Sequence, residues 1–133
     1  MIQRIQSLWL LLSAGLMGAL FVVPYIRTGN TYTELPIHLV AVKVLSILSI
    51  VVTFMSIFMF KNRKTQRTIV RLGLVLKVLV VTYIACSVLI LLKGVIAFDW
   101  GVALPIAAMI LDFLAMKAIK KDDDLVKSID RIR

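Results

Sequence analysis

The sequence has few of the residues from which catalytic, redox and metal sites are built. It contains one cysteine and one histidine, which excludes an intramolecular disulfide and leaves a metal ion without the usual cluster of ligands. It has no Ser/His/Asp set, no CxxC pair and no glycine-rich phosphate loop. We therefore expect that this chain is not an enzyme and that it binds no metal ion or other cofactor.

Acidic residues are also scarce, with seven Asp and Glu against sixteen Lys and Arg and a net charge of +9. Nucleic acid is not the expected partner, because the basic residues form short clusters beside apolar runs, with no soluble domain to present them. Hydrophobic residues make up 61% of the chain, more than a water-soluble domain of this size could bury. We therefore expect the lipid bilayer to surround this protein.

Four apolar segments are long enough to span a bilayer, whose hydrocarbon core of about 30 Å requires about 20 helical residues. The predicted helices comprise residues 5–26, 35–60, 72–92 and 100–119, and residues 120–133 form an amphipathic tail. The fourth segment contains Asp112 and Lys117, so we expect its insertion to depend on the neighbouring helices. The first is interpreted as a membrane anchor, because its uncharged run is longer than the apolar region of a cleaved signal peptide.

The connections between these segments are short, so sequential helices are expected to lie antiparallel. The sequence therefore predicts an all-α fold, with one transmembrane domain over residues 1–133 built as an up-down four-helix bundle. Lys and Arg indicate its orientation, because cytoplasmic loops carry an excess of them. Twelve flank the helices on the side of the termini and the middle loop, and only Arg27 and Lys93 flank them on the other. Both termini are therefore expected to be cytoplasmic.

Two ionisable residues lie at matching depths within the predicted membrane segments. Lys77 is five residues beyond the inner start of the third segment, and Asp112 is five residues before Lys117 in the fourth. Each is about 7 to 8 Å from the cytoplasmic side, so antiparallel neighbours could bring them together. One interpretation is a proton or ion relay, or a site for a substrate cation. The other is a packing salt bridge, or a lysine that extends to the headgroups.

Small and hydroxyl-bearing residues recur at helical spacing on the first two predicted helices. The hydroxyls of the second helix share one face, which could line a polar path or bond helices to one another. Two overlapping small-xxx-small pairs on the first helix favour the close approach of a helix from this chain or another. The predicted helix-packing residues are Ala14, Gly15, Gly18, Ala19, Ser46, Ser49, Thr53 and Ser56.

Other polar residues have simpler interpretations. Lys43 lies about two turns below the outer surface and can extend outward, towards Glu34. Residues 122–124 are all Asp, but they lack the alternating ligand pattern of a calcium loop and are expected to be a solvated start to the tail. The tail itself could lie on the membrane surface or contact a partner. Cys86 is expected to pack within the bundle.

Three stretches of the sequence carry a resemblance to a known family. They are MIQRIQSLWLLL at residues 1–12, FKNRKTQR at 60–67, and AIKKD at 118–122 together with LVKSIDRIR at 125–133. With them the chain resembles, from end to end, the bacterial membrane family called domain of unknown function 4293. The resemblance implies a small four-helix protein of the inner membrane without an assigned activity, and it carries over no functional residue.

The same three stretches lie on the cytoplasmic side by the count of charges, which favours a partner at that face. The candidate partner surface comprises Arg4, Lys61, Arg63, Lys64, Arg67, Lys127, Arg131 and Arg133. The leading hypothesis is an accessory subunit that packs against a larger membrane complex, with self-association into a homo-oligomer also open. The alternative is a small oligomeric transporter or channel that uses Lys77, Asp112 and the hydroxyl face of the second helix.

Overall fold

A computed structural model describes residues 2–24, 26–28, 36–91 and 96–130 of the chain. Four α-helices dominate these residues and confirm the predicted all-α fold. They are α1 (Ile2–Ala19), α2 (Pro36–Phe58), α3 (Arg63–Cys86) and α4 (Ala103–Asp130). A π-helical segment, Ser87–Leu91, extends α3, and a 3₁₀ turn, Trp100–Val102, precedes α4.

Apolar side chains from the four helices form two buried layers. The first layer consists of Met17, Leu20, Val42, Val80, Ile84 and Ala108. The second consists of Leu10, Val70, Ala115 and Ile119, with Ile57 packed against it. From the second layer to the first, residue numbers rise in α1 and α3 and fall in α2 and α4. Sequential helices therefore run antiparallel, which confirms the predicted up-down topology.

The first helix is shorter than predicted, because it ends at Ala19 and not at Ile26. Pro24 provides the physical reason, since it has no N–H to donate to the Leu20 carbonyl and its ring would clash with that carbonyl in a longer helix. The chain leaves α1 through a turn in which the Val23 N–H donates to the Ala19 carbonyl at 2.9 Å. The apolar run continues beyond the helix, so apolarity alone overestimated the length of α1.

The basic segment after α2 and the predicted tail are both helical. α3 begins at Arg63 and not at Leu72, and Asn62 caps it by accepting a hydrogen bond from the Thr65 N–H at 3.4 Å. A side-chain acceptor of this kind satisfies a backbone donor that has no partner within the helix. α4 continues without a break to Asp130. The tail, as far as the described residues extend, is therefore the end of α4 and not a separate element.

Two three-residue strands at the far end of the bundle were not predicted. β1 (Ile26–Thr28) pairs antiparallel with β2 (Ile96–Phe98), with Arg27 opposite Ala97. The Gly101 N–H adds a hydrogen bond to the Pro24 carbonyl at 3.2 Å. These bonds join the connection after α1 to the connection before α4. Strands this short leave no period-two pattern in a sequence.

In the part of the chain that the structure describes, three segments are long and apolar enough to cross a membrane. They are Val40–Phe58, Arg63–Leu89 and Trp100–Ile129, with mean hydropathies of 2.3, 2.3 and 2.0. The apolar part of α1, Ile5–Ala19, is shorter. Large apolar side chains are exposed along all four helices, whereas a water-soluble protein rarely exposes such extensive apolar surface. Length, composition and surface are therefore those of a membrane protein with transmembrane helices.

Gly73 allows α3 to approach α2 closely. A Cβ atom at this position would lie 3.1 Å from Thr53 Oγ1 and 3.7 Å from Val52 Cγ1. At Gly15 of α1, an added Cβ would meet no described atom within 4 Å. Gly73 and Gly15 therefore form a matched pair of helical glycines, one at a packed position and one at an open position.

We expect Gly73→Leu to lower the free energy of unfolding by about 1 to 2 kcal/mol, because overpacking outweighs the helix propensity gained when glycine is replaced. Gly15→Leu should leave that free energy unchanged or raise it slightly. Reversible unfolding in mixed micelles, followed by circular dichroism, measures both variants. Equal stabilities would contradict the close contact between α2 and α3 at Gly73.

Candidate functional site

A lysine and an aspartate form an ion pair in the interior of the bundle. Lys77 Nζ lies 2.7 Å from Asp112 Oδ2, and neither side chain is exposed to solvent. Lys77 is on the buried face of α3, and Asp112 lies between Ala108 and Ala115 on the buried face of α4. The two residues that the sequence placed at matching depths, without establishing a contact, are therefore in direct contact.

A hydroxyl group of α2 is the second hydrogen-bond partner of the lysine. Lys77 Nζ donates to Thr53 Oγ1 at 2.9 Å, so one ammonium group connects α2, α3 and α4. Removing an ammonium and a carboxylate from water is unfavourable, and close charge-assisted hydrogen bonds offset part of that penalty. The spacing of the hydroxyl residues predicted that Thr53 lies on the hydroxyl face of α2. It did not predict which residues of α3 lie opposite that face. The bond to Lys77 was therefore missed.

The first helix joins this polar centre through Ser13, which the sequence did not single out. Ser13 Oγ donates a hydrogen bond to the Ala108 carbonyl at 3.1 Å, and both residues are fully buried. Ala108 is one helical turn before Asp112, and in an α-helix its carbonyl also accepts the Asp112 N–H. All four helices therefore contribute a polar contact close to the ion pair.

The hydroxyl face of α2 is turned into the bundle over its whole length, since each of its four members is at most 1% exposed. Ser56 Oγ donates to the Thr53 carbonyl at 2.6 Å, as expected for a hydroxyl bonded to its own helix. Ser46 Oγ, Ser49 Oγ and Asp112 Oδ1 are buried and have no hydrogen-bond partner among the described residues. Buried polar atoms are normally paired, so these three retain the capacity to bind a proton donor or a polar species.

The family model described as Domain of unknown function (DUF4293) matches residues 2–132. The chain belongs to this family. The match includes both residues of the ion pair and confirms the resemblance drawn from three stretches of the sequence. No curated protein and no solved structure matches the chain. The family description names no activity, so the function of this DUF4293 protein has to be argued from its geometry.

The small residues of α1 divide between the inside and the outside of the DUF4293 bundle. Ala14 is buried, with 8% of its surface exposed, whereas Gly15 is exposed and Gly18 and Ala19 are half-buried. Added Cβ atoms at Gly15 and Gly18 would meet nothing within 4 Å in the described part of the chain. Close helix packing inside this chain therefore uses Ala14, and the glycines are left open.

The candidate partner surface is partly engaged within the chain. Arg63 Nη2 lies 3.2 Å from Asp122 Oδ2, and Lys127 Nζ lies 2.6 Å from Asp123 Oδ2. Two of the three consecutive aspartates are therefore paired, and the start of α3 is joined to the end of α4. Lys61 and Lys64 are exposed and Arg67 is half-buried. Arg131, Arg133 and the side chain of Arg4 lie outside the described residues.

Two other expectations concern Cys86 and Lys43. Cys86 was expected to pack within the bundle and is exposed, so that prediction is wrong. Lys43 is half-buried, and its predicted partner Glu34 lies outside the described residues. In the segments described, no three His, Cys, Asp or Glu side chains group in a way that could hold a metal ion.

We expect Lys77→Met and Asp112→Asn each to lower the free energy of unfolding of the DUF4293 bundle by about 3 kcal/mol, because each leaves its partner buried without a counter-charge. The double variant should regain most of that loss, giving a large coupling free energy in a double-mutant cycle. Unfolding in mixed micelles measures all four proteins.

The exposed pair of Lys127 and Asp123 provides the matched control for this cycle, because an ion pair in contact with water contributes little. Lys127→Met and Asp123→Asn should have small and additive effects. Additive losses at Lys77 and Asp112 would show that the buried groups do not interact directly.

Proposed function

We propose that this DUF4293 protein is a non-enzymatic accessory subunit of the bacterial inner membrane, with both termini in the cytoplasm. In this proposal it packs through α1 against a transmembrane helix of a larger membrane complex. The observation that carries the proposal is the open glycine on the outer face of α1. The interior of the bundle supports the same role, because its central charges are already paired with each other.

The outer face of α1 has the composition of a helix-packing site. Leu8, Leu12 and Gly15 follow one another at steps of four and three, so they share one face. Leu8 is 53% exposed and Leu12 is 47% exposed, and Gly15 has open space where a Cβ atom would be. In lipid, helices associate where small residues let their backbones approach closely. A partner helix in a bilayer therefore suits this face.

The charge distribution supports the proposed orientation. The basic residues at the start of α3 and those at the end of α4 occupy the same end of the bundle, where Arg63 pairs with Asp122. Cytoplasmic ends of membrane proteins carry such an excess of Lys and Arg. The exposed apolar surface between the two ends of the bundle supports insertion in a bilayer.

We expect Gly15→Leu to reduce co-purification of the partner complex about tenfold or more, because the added side chain fills the space that a partner backbone would use. The measurement is purification of the tagged chain from native membranes in mild detergent at its endogenous level, with quantification of co-purifying proteins.

Ala103→Leu is the matched control, since Ala103 is a small exposed residue on α4 and its enlargement should leave co-purification unchanged. A second copy with a different tag tests self-association in the same samples. A chain that purifies alone or only with itself, or a Gly15→Leu variant that retains its partner, would contradict the proposal.

A second function, a small oligomeric transporter or channel, is favoured by one specific observation. Asp112 uses one carboxylate oxygen to bind Lys77, while its other oxygen is buried without a partner in the described structure. Ser46 and Ser49 add two unpartnered hydroxyls on the buried face of α2. An intramembrane carboxylate beside polar groups is the chemistry of a proton or ion path.

If that function is correct, proteoliposomes of the wild type should conduct protons or cations, and Asp112→Asn should abolish the flux. Lys77→Met/Asp112→Asn should fold well, because it removes both charges, and should also be inactive. Asp123→Asn removes an acidic group outside the core and should retain full flux. A wild type without flux, or a double variant with wild-type flux, would reject a conducting role for Asp112.

A further inference from the structure

A basic groove lies between α3 and α4, nearer to the cytoplasmic end than the ion pair. Its volume is about 240 Å³, below the roughly 300 to 1,000 Å³ of sites that enclose a drug-sized molecule. It can therefore hold a compact charged group whose remainder stays outside. The lining residues are Arg67, Arg71, Phe113, Met116, Lys117 and Lys120.

Helical periodicity assembles this groove from two antiparallel helices. Arg67 and Arg71 are four residues apart on α3, so their side chains lie on one face. On α4, Lys117 and Lys120 are three residues apart and share a face in the same way. The antiparallel packing of α3 and α4 brings the two faces together. Four cationic groups consequently converge on one small space.

No ion pair joins these four cations to an acidic side chain within the described residues, although Asp124 lies four residues beyond Lys120 on α4. The other three acidic residues of this region are paired elsewhere. Asp112 pairs with Lys77, Asp122 with Arg63, and Asp123 with Lys127. Arg67 Nε is buried and lacks a hydrogen-bond acceptor in the same part of the structure. An arginine presents several donors in a fixed plane that matches an oxyanion such as phosphate. The positive charge of the groove is therefore not neutralised by an ion pair with any of the described residues.

Along the bundle axis, the apolar residues of the groove lie farther from the cytoplasmic end than its lysines do. Phe113 follows Asp112 directly and is 59% exposed, and Met116 is half-buried. Along α4, the lining thus changes from apolar to cationic towards the cytoplasmic end. A phospholipid in the inner leaflet has the same order, with acyl chains below and a phosphate at the surface.

We propose that this groove binds the phosphate of an anionic phospholipid from the inner leaflet. Arg67, Arg71, Lys117 and Lys120 bind the phosphate oxygens, and Phe113 and Met116 contact the adjoining part of the acyl chains. Basic pockets between helices on the cytoplasmic side are suited to such headgroups. The inference rests on the membrane placement proposed above, and it is independent of any partner complex or ion flux.

Native mass spectrometry of the purified full chain tests this site, with dioleoyl-phosphatidylglycerol, dioleoyl-phosphatidylcholine and inorganic phosphate as probes. We expect tighter binding of the anionic lipid, and Arg67→Gln/Arg71→Gln should weaken it about tenfold or more. Lys117→Gln/Lys120→Gln removes the same charge from α4 and should have a similar effect. The second variant keeps the test valid if the first one folds poorly.

Lys61→Gln/Lys64→Gln is the matched control, because it removes two exposed lysines outside the groove and should leave lipid binding unchanged. Equal weakening in the control, equal affinity for phosphatidylcholine, or displacement of the lipid by inorganic phosphate at a comparable concentration would overturn the site.

Incorporation into vesicles, scored by resistance to alkaline carbonate, is measured separately. Incorporation without a lipid preference overturns the lipid site alone, whereas absence of incorporation overturns the proposed membrane function as well.

Discussion

The structure depends on one constraint, which is that a charged lysine and a charged aspartate are held entirely away from water. Each charge alone would be strongly unfavourable in the interior, so the arrangement is stable only when both lie within hydrogen-bonding distance. Lys77 and Asp112 meet this requirement at 2.7 Å. The bond fixes the register of α3 against α4, because a shift of one helical turn would separate the two charges.

The packing around the pair follows from that register. One apolar layer lies on each side of the pair along the bundle axis, and small residues let the helix backbones come close at its level. Gly73 leaves room for Thr53 beside the Lys77 ammonium, and Ala108 leaves its carbonyl within reach of Ser13. The polar contacts specify how the helices align, and the apolar layers pack the helices against one another on either side of these contacts.

Residue spacing and depth were sufficient to predict the helical fold and the up-down topology, and they placed Lys77 and Asp112 at matching depths without establishing that the two residues are in contact. They were insufficient to predict where a single residue such as a proline ends a helix, or which residues of two neighbouring helices face each other. Pro24 ends α1 early although the apolar run continues, and Asn62 starts α3 within the basic segment. The basic groove needs Arg67 and Lys117 to face each other, and no periodicity within a single helix contains that information.

The continuity of α4 has a mechanical consequence. From Asp112 to Asp130 the helix is unbroken, a length of about 27 Å at 1.5 Å per residue. A tilt of about 10° with Asp112 as the pivot would displace the far end by roughly 5 Å, on the same geometry. The contact between Arg63 and Asp122 would make the start of α3 follow. The end of the bundle that carries Arg63 and Asp122 would thus move as a lever arm, and its position would change with the angle of α4 within the bundle.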